Sequence, residues 1–167
     1  MKISIITVAF NSAATIRDTL ESVQQQTYPW VEHIVVDGAS TDNTAAIVRE
    51  YDHVARLISE PDRGLYDAMN KGIGMATGAI VGILNSDDFY PHPEVLSRVA
   101  AKIEQERTPA LYGDLRYVHP KATHRTLRYW RAGVYRLHYF RYGWMPPHPT
   151  FFVRREYYET LGGYDTG

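Results

Sequence analysis

Short apolar runs rich in β-branched residues alternate with helix-length segments along the first two thirds of the chain. The pattern predicts four strands, at residues 2–10, 32–37, 54–59 and 79–84. It predicts a helix that carries Ile16, Leu20 and Val23 and stops before Pro29, and further helices around residues 44–51, 64–76 and 93–107. Such alternation is typical of an α/β fold with a mostly parallel central sheet flanked by helices. The 167 residues suit one domain.

The remaining third of the chain is less regular. We expect two further strands at 110–118 and 126–131, joined by a polar link at Pro120, and a short helix at 155–161. Residues 132–150 are aromatic and basic, and their pattern favours no single element.

Polar turns follow the first, second and fourth predicted strands. They contain Asn11-Ser12, the run 38–42, and Asn85-Ser86-Asp87-Asp88. Ser40 or Thr41 is the expected cap of the second helix. In parallel sheets, ligands bind beyond the carboxyl ends of the strands. We therefore expect these three turns to form one site.

Several classes of site are excluded by composition. The chain has no cysteine, which removes disulfides, thiolate zinc sites and a cysteine nucleophile. The first strand-to-helix turn has no glycine, so it is not a dinucleotide fingerprint, and no glycine-rich loop ends in Lys-Ser/Thr. No apolar run reaches the 18 or so residues of a membrane span. The expected localisation is cytoplasmic, at the inner face of the membrane if the basic region described below binds lipid.

The Asp87-Asp88 pair indicates a binding site for a divalent cation. Two carboxylates at a ligand-binding edge would repel a diphosphate unless Mg²⁺ or Mn²⁺ lay between them, and these ions prefer oxygen ligands. The alternative is an ordinary surface turn, for which Asn-Ser-Asp-Asp is also suitable. Asp37 has the same two interpretations: a hydrogen-bond acceptor for a base imide N–H, or a turn residue before Gly38.

Seven collinear motifs resemble the inverting family 2 glycosyltransferases, which have the A-type, Rossmann-like nucleotide-sugar-binding fold. The motifs are Ile6-Thr7-Val8-Ala9-Phe10-Asn11, Val35-Val36-Asp37-Gly38-Ala39-Ser40-Thr41-Asp42, Asp62-Arg63-Gly64-Leu65-Tyr66-Asp67-Ala68-Met69-Asn70-Lys71-Gly72, Leu84-Asn85-Ser86-Asp87-Asp88, Tyr112-Gly113-Asp114, Pro147-His148-Pro149-Thr150 and Leu161-Gly162-Gly163-Tyr164-Asp165. The resemblance runs in order over essentially the whole chain.

The resemblance implies a UDP-sugar donor, a sugar transfer to a hydroxyl acceptor in polysaccharide or glycolipid assembly, and the residues that hold the donor. The implied donor-binding residues are Thr7, Ala9, Asn11, Asp37, Arg63, Asn70, Lys71 and Asp87. Asp88 and His148 are the implied ligands of Mn²⁺ or Mg²⁺. Met69 stands where many relatives have arginine, so Lys71 or Arg63 would supply the missing cation.

The general base has no match among these positions. In the family it is an Asp or Glu several residues after the Gly162-Gly163-Tyr164-Asp165 turn, so we expect it beyond Gly167. Asp114 is the expected contact to acceptor or donor sugar. On this view the chain is an N-terminal portion of the fold, truncated at its C-terminal end. Residues 1–114 would form the donor half, and 115–167 the start of the acceptor-side half, of one domain.

Charge divides the chain in the same place. Residues 1–114 hold 9 Lys/Arg and 16 Asp/Glu, whereas residues 115–167 hold 9 and 3, and the stretch 115–155 has no acid at all. We expect this basic, aromatic stretch to face a saccharide acceptor, a lipid-linked saccharide or an anionic membrane surface. Two alternatives remain open: a non-catalytic nucleotide-sugar-binding fragment, and a single-stranded nucleic-acid binder, which is disfavoured. A nucleotidyltransferase is also disfavoured, because the first turn lacks a glycine-rich basic loop.

Overall fold

The four predicted strands and four predicted helices of the first 107 residues all form. In the computed structural model, which describes residues 1–166, the strands and helices begin and end within about two residues of most of the predicted bounds. The elements are β1 Ile3–Ala9, α1 Ile16–Gln24, β2 Val31–Asp37, α2 Thr44–Val48, β3 Val54–Ser59, α3 Leu65–Met75, β4 Ile80–Ile83, α4 Val95–Glu106, β5 Ala110–Leu111, β6 Leu115–His119, β7 Ala122–Trp130, β8 Phe152–Arg154 and α5 Arg155–Leu161. Two 3₁₀ helices, Leu137–Tyr142 and His148–Thr150, lie between β7 and β8.

The central sheet has six strands in the order β3-β2-β1-β4-β8-β5. Its first four strands are parallel neighbours, and β8 runs antiparallel between β4 and β5. The predicted mostly parallel sheet is therefore confirmed. The pattern missed β8, because a strand of three residues is too short to show a period of its own.

The predicted strand 110–118 is wrong as one element. Tyr112-Gly113-Asp114 interrupts it, so that β5 joins the central sheet while β6 pairs with β7 in a separate antiparallel hairpin. That hairpin turns at Pro120-Lys121, as the polar link predicted. Its surface is mostly exposed, whereas β1 is buried along its whole length.

Helices cover both faces of β1, and this is why the strand is apolar at nearly every position. Ile3 and Ile5 pack towards α1 and α4 in one core cluster, whereas Ile6 and Val8 pack with Met69 of α3 in another. A strand buried on both faces loses the alternation of apolar and polar residues that a half-exposed strand shows. The continuous run Ile3–Ala9 thus places β1 at the centre of the sheet.

Gly72 explains why α3 forms although its glycines give it a weak helix propensity. A Cβ atom at this position would collide with the side chain of Ile6 on β1. Glycine therefore lets the α3 backbone approach the sheet closely, and the packing that results offsets the cost of glycine inside a helix, about 1 kcal/mol.

A buried histidine, His33, lies in the amino-terminal half of β2, opposite the first residue of β3. The Nε2 atom of His33 is 3.0 Å from Oγ1 of Thr7, and its Nδ1 atom is 3.1 Å from Nε2 of His53. Burial, together with the neighbouring His53, lowers the pKa of His33 to about 3. The folded chain therefore holds a neutral imidazole at this position.

We predict that His33 makes the fold acid-sensitive. Its pKa is about 3 when folded and near 6.5 when unfolded, so its contribution is complete above pH 6.5 and is lost as the pH falls from 6.5 towards 3. Between about pH 7.5 and 5.5 the contribution of His33 should fall by about 1.4 kcal/mol of unfolding free energy, which is the expected difference between the pH dependences of wild type and His33→Gln. Chemical denaturation at the two pH values measures it. His33→Gln should flatten the pH dependence and exposed His124→Gln should not; an unchanged slope in His33→Gln would contradict this.

None of the helices in residues 1–166 combines the length and the apolar character needed to cross a membrane.

Candidate functional site

The turns after β1, β2 and β4 meet at the carboxyl edge of the sheet, as predicted. Ala9 lies opposite Asp37 in the β1–β2 register, and the Leu84 amide donates to the Ile6 carbonyl at 2.9 Å where β4 ends. The hydroxyl groups of Ser12 and Ser86 then share a hydrogen bond of 2.8 Å. Parallel neighbours thus bring three turns that are far apart in sequence into direct contact.

Asn11 ties the first turn to the second. Its backbone is in the left-handed region (φ +49), a conformation that asparagine tolerates better than most residues. Its amide N–H donates to Oγ of Ser40 at 2.8 Å, and its Oδ1 accepts from the Thr41 amide at 2.9 Å. Asn11 is therefore a scaffold residue of the rim, and its predicted contact with the donor remains a prediction.

The expected cap of α2 is wrong. Neither Ser40 nor Thr41 caps the helix: the N-cap position is Asn43, whose side chain makes no capping hydrogen bond, and the Oδ1 atom of Asp42 accepts from the Thr44 amide at 2.9 Å. The other carboxylate oxygen of Asp42 accepts from the Ala13 amide at 3.0 Å and so joins the start of α2 to the first turn. Ser40 is instead drawn towards Asp37.

Asp37 is fully buried and holds the second turn in place. Its carboxylate accepts hydrogen bonds from the Ser40 amide at 3.1 Å, from the Ser40 hydroxyl, and from the Ser59 hydroxyl at 2.6 Å. A carboxylate has about four lone-pair sites, so these three bonds leave one. The turn-residue interpretation of Asp37 is therefore correct, while its contact with a base is an additional role that stays a prediction.

Thr7 and Ala9, which are among the expected donor-binding residues, have buried side chains, and their contact with the donor remains a prediction. Thr7 is fully buried with its hydroxyl on His33, and the Ala9 side chain packs against Ile16 and Val35 in the core. Neither side chain reaches the rim, because both point into the layer between the sheet and its helices. Any contact that these residues make with a donor would have to come from their backbone.

Phe10 is a rim residue that sequence reasoning missed. It immediately follows β1, its side chain is 63% exposed, and it lies next to Gly38 of the second turn. One sequence signal could have identified it. Phe10 is an aromatic residue directly after a buried strand, in a solvent-exposed turn where a polar side chain is usual. An exposed ring at a nucleotide-binding edge is suited to stacking on a base.

Asp87 and Asp88 form the acidic part of the edge. Asp87 is exposed, whereas Asp88 is half-buried and accepts a hydrogen bond from Nδ2 of Asn85 at 3.0 Å. Burial, reinforced by the adjacent Asp87 charge, raises the pKa of Asp88 to about 6. The Oδ1 atom of Asn85 is buried without a hydrogen-bond partner. Two adjacent carboxylates and an unpaired carbonyl oxygen are the donors that a hard cation prefers.

His148 lies in the 3₁₀ helix His148–Thr150, which packs beside β4. Its Nε2 atom is buried without a hydrogen-bond partner, and burial lowers the pKa of the ring. The imidazole is therefore neutral near pH 7, which is the form that binds metals. The ring contacts Tyr164 with a centroid distance of 5.6 Å.

No three His, Asp or Glu side chains within residues 1–166 are grouped closely enough to hold a metal by themselves. Asp88 and His148 nevertheless fit a Mg²⁺ or Mn²⁺ ion that takes most of its ligands from water and a bound diphosphate. The unpaired Nε2 of His148 and the raised pKa of Asp88 are the two observations behind this fit.

The three residues expected to contact the diphosphate are used within the scaffold, which corrects that expectation for this form of the chain. Asn70 exchanges two hydrogen bonds of 2.8 Å with the backbone of Tyr164. Lys71 pairs with Glu60 at 2.9 Å, and Arg63 pairs with Asp67 at 3.2 Å. The Arg63 side chain is largely exposed, and exposed pairs contribute only about 0–1 kcal/mol, so Arg63 is the cation best able to reorient. Met69 belongs to the core.

Asp114 lies between β5 and β6, where the chain leaves the central sheet and enters the β6–β7 hairpin. Its carboxylate accepts from the Tyr129 hydroxyl and, at 3.0 Å, from the Ala132 amide. These hydrogen bonds, the one from Tyr129 first, lower the pKa of Asp114. Both oxygens are thus engaged in fastening the β6–β7 hairpin, which argues against the expected direct contact with a sugar. The neighbouring Gly113 amide donates to Oγ1 of Thr150 at 3.2 Å and so places this junction beside His148.

A mostly parallel sheet with carboxylates and an unpaired imidazole at its carboxyl edge is the architecture of Rossmann-like nucleotide-binding proteins. The chain belongs to glycosyl transferase family 2, whose family model matches residues 4–162.

Curated relatives are named glycosyltransferases. A PGL/p-HBAD biosynthesis glycosyltransferase of Mycobacterium bovis (strain BCG / Pasteur 1173P2) is 34% identical over 167 residues, which cover 97% of this chain and 62% of the relative. Glycosyltransferase AglE of Haloferax volcanii is 32% identical over 133 residues, which cover 76% of this chain and 43% of that protein. The chain thus spans less than two thirds of the length of these relatives.

Solved structures share the A-type glycosyltransferase fold. S. aureus TarS 1-349 in complex with UDP-GlcNAc matches with a TM-score of 0.77 and 25% identity, over 96% of this chain and 47% of that chain. The mannosyltransferase PcManGT from Pyrobaculum calidifontis, in complex with GDP-Man and Mn²⁺, matches with a TM-score of 0.75 and 24% identity, over 99% and 48% of the two chains.

We predict that Asp88 destabilises the ligand-free chain. A carboxyl group with a pKa of about 6 instead of 3.8 costs folding free energy once it ionises, at about 1.4 kcal/mol per pKa unit. Asp88→Asn keeps an acceptor for Asn85 and removes the charge, so it should raise the unfolding free energy by about 1–3 kcal/mol at neutral pH. Chemical denaturation in EDTA measures this. The exposed Asp52→Asn should change it by less than about 0.5 kcal/mol; destabilisation by Asp88→Asn would contradict the prediction.

Proposed function

We propose that the chain binds a UDP-sugar at the edge formed by the turns after β1, β2 and β4, as the donor half of an inverting glycosyltransferase. The observation that carries the proposal is the Asp87-Asp88 pair, which lies at the end of β4 and is joined to the first turn through Ser86 and Ser12. The two carboxylates would repel the negative charge of a diphosphate, so we infer that a diphosphate binds beside them together with a divalent metal ion.

The comparisons support a nucleotide-sugar donor. TarS has 25% identity with the chain and binds UDP-GlcNAc, and the mycobacterial relatives act in PGL/p-HBAD biosynthesis. We therefore propose a saccharide or lipid-linked saccharide acceptor, with polysaccharide or glycolipid assembly as the setting. Transfer with inversion requires the acceptor hydroxyl to be held in line with the anomeric carbon.

Asp88 and His148 would hold Mn²⁺ or Mg²⁺. When bound, the metal offsets the charge that develops on the departing nucleoside diphosphate. Asp87, the exposed member of the pair, is suited to the ribose or to water around the metal. Arg63, once released from its exposed pair with Asp67, can reach an anionic ligand from the start of α3.

The base would lie between Phe10 and the second turn. Phe10 offers an exposed ring for stacking, and Asp37 retains one lone-pair site for the imide N–H of uracil. Cytosine presents an acceptor where uracil has this N–H, and an ionised carboxylate can only accept, so Asp37 would favour uracil over cytosine. Asn11 keeps the two turns at a fixed separation.

The proton acceptor for the acceptor hydroxyl stays a prediction. We expect it beyond Gly167, outside the described residues. Asp114 is engaged with Tyr129 and Ala132, so we do not assign the proton transfer to it. Residues 115–166 form the acceptor side in this proposal, and residues 1–114 form the donor side.

We predict metal-dependent stabilisation by UDP. A ligand that binds only the folded chain raises its unfolding free energy, by about 2.7 kcal/mol at 100 times its Kd. Differential scanning calorimetry should therefore show a higher Tm with UDP and Mn²⁺ than with UDP and EDTA. Asp88→Asn should remove the difference between the two conditions, whereas Asp52→Asn should preserve it.

The base preference is tested in the same assay. Wild-type protein should respond to UDP more strongly than to CDP, and Phe10→Ala should raise the apparent Kd for UDP at least several-fold. Equal responses to UDP and CDP would refute the role of Asp37. Equal responses to UDP with Mn²⁺ and with EDTA would refute the metal role of Asp88.

A further inference from the structure

A segment next to the acceptor side exposes an unusual amount of apolar surface. Residues 131–145, which we call the aromatic arm, include the 3₁₀ helix Leu137–Tyr142. Val134, Leu137 and Tyr142 have 74%, 73% and 83% of their surface exposed, and Tyr135 and Met145 are also exposed. Contiguous apolar surface of this kind on a folded chain marks an interaction site.

The aromatic arm is an ordered unit with an anchor. Trp144 is half-buried, its Nε1 donates to the Ala132 carbonyl at 3.0 Å, and its amide donates to the Tyr139 carbonyl at 3.2 Å. Its ring makes edge contacts with Tyr135 and Phe140 at centroid distances of 6.2 and 5.5 Å. The exposed side chains therefore project from a fixed turn.

The charge of the aromatic arm is entirely positive. Arg131, Arg136 and Arg141 recur at every fifth residue, all three are exposed, and the chain has no acidic residue between 115 and 155. Exposed arginines that alternate with apolar side chains complement a surface that is anionic outside and apolar beneath. An anionic lipid membrane has this layering.

Nucleic acid is the other polyanion to consider, and the aliphatic residues argue against it. Single strands are held by aromatic rings that stack on bases, beside cations that follow the phosphates. Val134, Leu137 and Met145 have no ring, yet the first two are among the most exposed residues of the aromatic arm. Aliphatic side chains gain free energy by entering the headgroup and acyl boundary of a membrane.

We propose that the aromatic arm docks the protein on an anionic lipid surface, with Leu137, Tyr142 and their neighbours at the acyl boundary and the three arginines among the headgroups. This goes beyond donor binding and does not depend on it, because the arm and the donor edge are formed by different residues.

The docked surface would adjoin the acceptor side of the site. Trp144 is bonded to Ala132, and the Ala132 amide is bonded to Asp114. Gly113, the residue before Asp114, is bonded to Thr150, which belongs to the same 3₁₀ helix as His148. Three hydrogen bonds thus connect the lipid-facing turn to the 3₁₀ helix of the candidate metal ligand, so an acceptor carried in the membrane would be presented from this side.

Vesicle flotation tests the proposal. At low salt the protein should float with vesicles of phosphatidylglycerol and phosphatidylcholine and stay in the lower fraction with pure phosphatidylcholine. Replacing Arg131, Arg136 and Arg141 together by Gln should weaken partitioning to the anionic vesicles by about 100-fold, since each arginine near an anionic surface contributes about fivefold. Leu137→Ser combined with Tyr142→Ser should weaken it by about tenfold.

Matched control variants distinguish an effect of the aromatic arm from an effect of losing positive charge or exposed apolar surface anywhere on the chain. Replacing exposed Arg49, Arg56 and Arg107 by Gln removes the same charge elsewhere, and Leu127→Ser removes an exposed leucine of β7. Both controls should float like wild type. Flotation that is equal with the two vesicle types, absent from both, or equally weakened by the controls would overturn the proposal.

A fluorescent single-stranded oligonucleotide provides the comparison with nucleic acid. Tighter binding to the oligonucleotide than to anionic vesicles at the same salt concentration would overturn the lipid assignment. The Tm shift with UDP and Mn²⁺, measured on the same arm variants, should remain as in wild type. Loss of flotation with an intact UDP response therefore separates failure of the arm from failure of the donor site.

Discussion

The parallel alignment of β2, β1 and β4 is the constraint on which the site depends. Because the three strands run in the same direction, their carboxyl ends lie side by side, with Ala9 opposite Asp37 and the Leu84 amide on the Ile6 carbonyl. The turns that follow must therefore meet, and their short polar side chains hydrogen-bond to one another, as Ser12 does with Ser86. An antiparallel neighbour would have sent one of these turns to the opposite edge. β8 is such a neighbour, and it lies on the far side of β4.

The apolar core stabilises the fold, whereas the carboxylates at the carboxyl edge of the sheet destabilise it. The β1 strand brings two apolar layers together, with α1 and α4 on one face and α3 on the other. The free energy from this core offsets the cost of holding Asp88 half-buried beside the charge of Asp87. A carboxylate held near a like charge binds a cation more strongly than an isolated one, because the cation removes the repulsion. The same arrangement is unfavourable for the ligand-free fold and favourable for binding a metal with a diphosphate.

The last part of the chain is attached to the first by side chains that the motif pattern assigned to the ligand. Asn70 on α3 holds the backbone of Tyr164, and the Tyr164 ring packs beside His148. Asp114 fastens the β6–β7 hairpin through Tyr129 and connects it to Ala132. These contacts place His148 next to the donor edge, and they orient the aromatic arm relative to it. Residues 1–114 and residues 115–166 are thus parts of one continuous hydrogen-bonded frame.

Local sequence determined the strands and helices of the first 107 residues, the mostly parallel sheet and the edge that carries the site, because apolar periodicity and turn-forming residues are properties of neighbouring positions. Tertiary structure decided which way each motif side chain points and what it binds. Thr7 turns inward to His33, Asn70 pairs with a backbone 94 residues away, and the three-residue strand β8 forms only because β4 and β5 offer it two free edges. A side chain's partner depends on free energies of contacts distant in sequence, and no local pattern records them.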